Sequence, residues 1–204
     1  NNSASGEVVV EGGVITNGSL GLTLTPGTTY YVQADGSLAS TIIPYDISSA
    51  SYDSVEFSVS SQETDPTDLR FNTSGTKLFV IGQSGDDVNE YALSTAYDIS
   101  TASYTTNFSV ASQETAPRGL AFNSDGTKMY AVGSANDTVY QYSLSSAFDL
   151  STASYDSVSF SVASQTTFPT AIDFNSDGTK MFIVGGGNVS EYNLSSAFVV
   201  SSAT

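Results

Sequence analysis

The stretch PRGLAFNSDGTKMYAVG, Pro117 to Gly133, decides the fold because the chain carries it three times. PTDLRFNTSGTKLFVIG runs from Pro66 to Gly82, and PTAIDFNSDGTKMFIVG from Pro169 to Gly185. Phe71, Phe122 and Phe174 occupy one equivalent position, spaced by 51 and 52 residues. Tyr52, Tyr104 and Tyr155 mark a second shared position, and Tyr91, Tyr142 and Tyr192 a third. A period near 50 with several short apolar runs per unit is the pattern of a β-propeller blade or a β-solenoid coil.

Each unit reads as four strands. The first follows the proline, as in Gly119 to Phe122, and NSDG then turns the chain. Asparagine and aspartate bond their own backbone in such a turn, and Gly126 supplies the positive φ that closes it. The second strand, KMYAV or KMFIV, is apolar on both faces, which suits a strand hidden between stacked sheets. The third is DVNEYAL, TVYQYSL or NVSEYNL. In the fourth, SVEFSV or SVSFSV, Val55, Phe57 and Val59 alternate with polar residues, as at a half-solvated outer edge. Burial on two faces inside and one face outside is the gradient of a blade, not of a solenoid coil. Between the third and fourth strands, Tyr97 and Ile99, or Phe148 and Leu150, are read as packing residues that pin the connection down.

Proline, a small-apolar strand ending in Phe, Asn-Ser-Asp-Gly-Thr-Lys and an apolar strand ending in Val-Gly together resemble the YVTN- and NHL-type propeller repeats. The resemblance covers residues 44–204 and implies an all-β fold of three four-stranded propeller-type blades. A small N-terminal β module, residues 1–43, precedes them and is expected to dock or oligomerise. The array enters on a fourth strand at Tyr52 to Val59 and leaves after a third at Val189 to Leu194. The last blade is therefore expected to be sealed by strand 52–59 or by a partner chain. Three blades fall short of the usual four to eight. Either further sequence continues the array, or two chains of three blades share a six-bladed ring.

Residues 1–43 read as the short strands EVVVEG, GVIT and LTLT and the hairpin YYVQADGSLAST, turned at Asp35-Gly36. Leu22 to Thr41 resembles a module of bacteriophage tail-fibre, tail and head-decoration proteins. That resemblance is carried by Thr25-Pro26-Gly27, the paired Tyr30 and Tyr31, and the Asp35-Gly36 turn before Leu38. Because the chain opens NNSASG without a methionine, it is read as processed or cut from a longer one.

Five basic residues against 21 acidic ones give a formal charge of -16. Such a surface repels phosphate backbones and anionic headgroups, so neither nucleic acid nor membrane insertion is expected. The longest apolar runs, about five residues, are far below a membrane span of roughly 20. Cysteine and histidine are both absent, which removes disulfides, thiolate metal sites and the commonest general base. Lys77, Lys128 and Lys180 recur once per unit and are read as structural, each paired with a nearby carboxylate. Asp65, Asp173, Glu90 and Glu191 are the better candidates for an acid pair of the glycosidase kind, Glu90 and Glu191 being replaced by Gln141 in the middle unit. Asp86, Asp87, Asn136 and Asp137 sit in oxygen-rich turns that suit a hard cation, so calcium is the candidate cofactor.

The function expected from these readings is non-enzymatic, with no catalytic or organic-cofactor residues. It is that of a virion structural or attachment protein of a bacteriophage, homo-oligomeric, contacting other virion proteins and a host glycan or protein. A bacterial secreted or cell-surface adhesin or filament subunit is the alternative, and a carbohydrate-active enzyme the third.

Overall fold

The computed structural model describes residues 50–204 in full and, before them, the backbone of four short strands. These are β1 (Glu7–Val10), β2 (Gly13–Thr16), β3 (Tyr31–Val32) and β4 (Leu38–Ala39). β1 pairs antiparallel with β2, and β3 with β4, Tyr31 facing Ala39. β3 and β4 flank the expected hairpin, whose Asp35-Gly36 turn lies outside the described residues, as do LTLT and Thr25-Pro26-Gly27. Residues 1–53 form one compact unit and residues 54–204 another, where the sequence placed the division after residue 43.

The second unit is three antiparallel sheets in chain order. Blade 1 holds β5 (Pro66–Phe71), β6 (Lys77–Gly82), β7 (Asp87–Leu93) and β8 (Ala102–Ser109). Blade 2 holds β9 (Pro117–Phe122), β10 (Lys128–Gly133), β11 (Thr138–Leu144) and β12 (Ala153–Ser161). Blade 3 holds β13 (Pro169–Phe174), β14 (Lys180–Gly185) and β15 (Asn188–Asn193). The propeller-type, all-β reading holds, with four strands in each of the first two sheets and three in the last.

Blades stack because each sheet is apolar on both faces. Phe79, Ile81 and Val88 of blade 1 share a core with Leu120, Met129, Ala131 and Tyr142 of blade 2. Tyr130, Val132 and Val139 of blade 2 share another with Ile172, Met181, Ile183 and Tyr192 of blade 3. Near the axis the inner strands almost touch: a Cβ on Gly119 would stand 2.8 Å from Ala171 Cα. Only glycine admits that approach, and it lets the sheets converge inward while they splay outward.

Each connection between third and fourth strands is pinned by one aromatic ring, as expected for Tyr97 and Phe148. Tyr97, Phe148 and Phe198 sit at φ 61°, 54° and 60°, left-handed conformations that L residues rarely adopt. Their N–H groups donate to the carbonyls of Gly75, Gly126 and Gly178 at 2.8–2.9 Å. Their rings pack on Phe71, Phe122 and Phe174 at 5.4, 5.4 and 5.6 Å.

One part of the closure does not appear. Tyr52–Val59 forms no strand, and among the described residues the outer edge of β15 is met only at its end, where Asn193 and Thr204 exchange backbone hydrogen bonds at 3.2 and 3.0 Å beside the Leu194–Ala203 bridge. Phe57 instead rests edge-on against Tyr91 at 5.3 Å, as Phe108 does on Tyr142 and Phe160 on Tyr192. The segment thus takes the seat that an outer strand takes on the blade after it. Sealing blade 3 as well would require blade 3 to abut blade 1, which three blades of ordinary splay do not allow.

Two buried glutamates with no place in the sequence reading, Glu63 and Glu114, lock the turns. Glu63 is buried and accepts from the N–H groups of Asp65, Ser84 and Gly85 at 2.6, 3.1 and 3.2 Å. Burial pushes its pKa up, but these backbone donors outweigh it and hold the carboxyl below its ordinary 4.5. A pKa lowered by folding contributes stability that is present above the ordinary value and lost as pH falls through the folded one. Glu63→Gln is therefore expected to melt well below wild type at pH 7, with the gap narrowing as pH drops below 4.5. Parallel thermal melts across that range check it; a gap that stays constant or widens refutes the assignment.

Candidate functional site

The blades repeat nearly everything except the residues of their innermost strands. At the third position of β5, β9 and β13 stand Asp68, Gly119 and Ala171; at the fifth stand Arg70, Ala121 and Asp173. A residue that recurs in every blade serves the blade, whereas a ligand site in a repeat protein is built where the copies differ. Of the chain's five cations, the three lysines recur and pair with Glu90, Asp156 and Glu191. Arg118 lies over the Phe168 ring at 4.2 Å and donates to Ser134. Arg70 is the one that faces the axis.

β5 pairs with β6 so that Asp68 lies beside Ile81 and Arg70 beside Phe79, the face turned toward blade 2. Asp68 is held on both oxygens. Oδ2 accepts from the Leu120 N–H of blade 2 at 3.0 Å, and Oδ1 from Leu69 N–H and from Arg70 Nη1 at 2.8 and 2.7 Å. Arg70 Nη2 crosses the axis to the Ile172 carbonyl of blade 3 at 3.3 Å. One guanidinium thus ties the first blade to the third.

Arg70 and Asp173 meet at a half-open cavity of about 210 Å³, lined also by Thr73, Ser124, Phe122 and Phe148. Asp173 is exposed, and its Oδ1 accepts the Phe174 N–H at 2.9 Å. The cavity is smaller than the roughly 300–1,000 Å³ of most ligand clefts and holds about seven waters. Its wall offers donors at Arg70, an acceptor at Asp173, hydroxyls at Thr73 and Ser124, and aromatic rings. Asp68 and Asp173 outnumber Arg70, so the local charge is negative, like that of the whole chain.

The other candidate residues are dispersed. Glu90 is buried, paired with Lys77 at 2.7 Å, and accepts the Leu150 N–H of blade 2 at 2.9 Å. Glu191 lies in blade 3 beside Lys180, and Asp65 in a turn whose carbonyl accepts from Gln83 N–H. Only Asp173 of the four acids reaches the axial cavity, so no pair for glycoside hydrolysis forms among them. Asp86 and Asp137 hold φ 48° in equivalent turns, and their carbonyls accept from Val110 and Val162. Asp87 accepts from Asn89 and Asn107 side chains, and Asn136 donates to the Gln113 carbonyl. Among the described residues no three acidic side chains converge as a metal site. Arg70 was missed in the sequence because only acids were sought there, and Asp68, itself an unrepeated acid, was passed over because its partner in blade 2 lies 52 residues away.

No family model and no curated protein matches the chain. Solved structures do. A putative 6-phosphogluconolactonase from Bacteroides fragilis superposes with a TM-score of 0.52 at 13% identity, over 68% of this chain and 37% of its own. One from Bacteroides uniformis gives 0.52 at 12%, over 68% and 38%. A functionally unknown protein from Desulfotomaculum acetoxidans gives 0.52 at 13%, over 69% and 41%. This chain spans about two fifths of the length of those proteins. Likeness at such identity establishes the fold.

These neighbours correct the virion reading. The fold is shared with proteins named as lactonases, and no comparison supports a tail-fibre segment. Asp-Gly hairpins between aromatic strands arise in β proteins of every function, and a blade scaffold hosts unrelated activities. The expectation of a non-enzyme likewise loses force, since enzyme names occur among the structures that share the fold.

Proposed function

We propose that the axial cavity binds a small, neutral, hydroxyl-rich molecule, with the lactones of sugar acids the first class to test. The observation that carries this is the meeting of Arg70 and Asp173, two residues outside the repeat, in one cavity. Three hydrogen bonds occupy three of the five guanidinium donors, leaving two for a carbonyl or hydroxyl oxygen. The free oxygen of Asp173 accepts from a ligand hydroxyl, and Phe122 and Phe148 face the apolar edge of a ring. Two carboxylates beside one guanidinium, in a chain of charge -16, disfavour a phosphorylated ligand. The names of the structural neighbours support the lactone class without fixing the charge.

Titration calorimetry with glucono-1,5-lactone, glucose and 6-phosphogluconate tests this. Binding of a neutral compound is expected, weakened at least tenfold in Arg70→Ala, since hydrogen bonds to charged groups contribute about 1.5–3 kcal/mol. Lactone opening faster than the spontaneous rate, and lost in Arg70→Ala, would extend binding to catalysis. No heat with any of the three, or tightest binding of the phosphate, overturns the reading.

A further inference from the structure

Blade interfaces in this chain are built twice to one plan. The rear face of blade 1 puts Phe79 on Phe122 at 4.7 Å, and Glu90 Oε2 accepts the Leu150 N–H. The rear face of blade 2 puts Tyr130 on Phe174 at 4.5 Å, and Gln141 Oε1 accepts the Val200 N–H at 3.1 Å. Both halves of a third such interface are present but unjoined. On the front of blade 1 an apolar groove of about 640 Å³ runs between Phe57, Leu69, Phe71 and Val80. Leu69 is 52% exposed there, whereas its equivalents Leu120 and Ile172 are 0% and 1%. On the rear of blade 3, Val184 is 41% and Val189 68% exposed, whereas Ile81, Val132, Val88 and Val139 are all 0%. The polar clamp is divided as well. Glu191 stands where Glu90 and Gln141 stand, and the Ile99 N–H stands where those of Leu150 and Val200 stand, with no acceptor among the described residues.

We propose that a second copy of this chain joins the two halves. The rear of blade 3 of each copy seats on the front of blade 1 of the other, closing a ring of six blades. In that contact Phe182 meets the other copy's Phe71, and Glu191 accepts from its Ile99 N–H. A second copy is the occupant because the two faces are complementary parts of an interface this sequence already forms twice, and head-to-tail contacts that close make rings. Six blades lie within the usual four to eight. The assembly does not depend on the axial ligand, and either proposal stands if the other fails.

Light scattering on the full chain at about 50 µM in 0.15 M salt, where repulsion between acidic copies is screened, measures the mass. Twice 21.2 kDa is expected. Val184→Asp and Leu69→Lys change exposed positions, so each is expected to stay folded by circular dichroism and to run as a monomer. Mixed in equal amounts they are expected to return to the dimer, because one junction then pairs Asp with Lys and the other is wild type on both sides. A wild-type monomer, a three-copy ring, a dimer that survives Val184→Asp, or a mixture that stays monomeric overturns the proposal.

Discussion

Glu114→Ala is expected to lower stability by about 3–5 kcal/mol, since each of three stranded donors costs about 1–3 kcal/mol and single-site losses above about 5 kcal/mol are exceptional. The carboxylate is fully buried and accepts three backbone N–H groups, from Ala116, Ala135 and Asn136 at 2.9, 3.0 and 3.3 Å. Two of those donors lie in the turn between β10 and β11, so the side chain stitches that turn to the strand entry of blade 2. The chain contains its own control. In blade 3 the equivalent residue is Thr166, which accepts only the Phe168 N–H, and the turn it faces runs from Gly185 to Asn188 instead of Gly133 to Thr138. A shorter turn presents fewer donors, and a hydroxyl suffices. At about 2–4 °C per kcal/mol for a chain of this size, the thermal midpoint should drop by roughly 10 °C. Glu114→Gln, which keeps one acceptor oxygen, should lose less. A midpoint for the alanine variant within about 2 °C of wild type, the shift of 1 kcal/mol or less, would show that water replaces the carboxylate freely.

Gly126→Ala should be of similar size, for a different reason. Gly126 holds φ 73°, and a Cβ there would stand 2.1 Å from Phe148 Cδ2. The left-handed conformation costs a non-glycine residue about 1–2 kcal/mol, and displacing a packed ring about 1–3 more. Phe148 also contacts Phe79 of blade 1 and Phe122, so moving it loosens the interface between two blades. Gly187→Ala separates the two costs: φ there is 84°, with nothing within 4 Å of the added atom. Chemical denaturation should show Gly126→Ala losing clearly more than Gly187→Ala. Equal losses would mean that the ring yields without cost.

Gly126 also shows how far sequence reaches. Its turn was legible, because Asn-Ser-Asp-Gly encodes a conformation within four residues. Its second duty, as floor for the Phe148 ring, was not, because that contact spans 22 residues and depends on how the connection folds back. The same distance hid Glu63 and Glu114. Each stands in a Ser-Gln-Glu-Thr string that reads as solvated turn, and its donors arrive from 21 and 22 residues downstream. Conversely, Asp86, Asp87, Asn136 and Asp137 looked like cation ligands because adjacent oxygens are easily seen in a string. What the string does not display is the neighbouring amides and side chains that occupy several of them.

From its sequence alone this protein is an array of near-identical β units, with strand order, turn positions and doubly apolar second strands all set. Those features rest on local rules: side chains alternate along a strand, and glycine is needed where φ turns positive. Tertiary structure alone decided which of the unrepeated residues meet. Arg70 and Asp173 lie 103 positions apart and share a cavity because three wedge-shaped sheets bring their inner strands toward one axis. Among the described residues it also left the front of blade 1 and the rear of blade 3 uncovered, since a period specifies each blade but the splay between blades specifies how many close a ring.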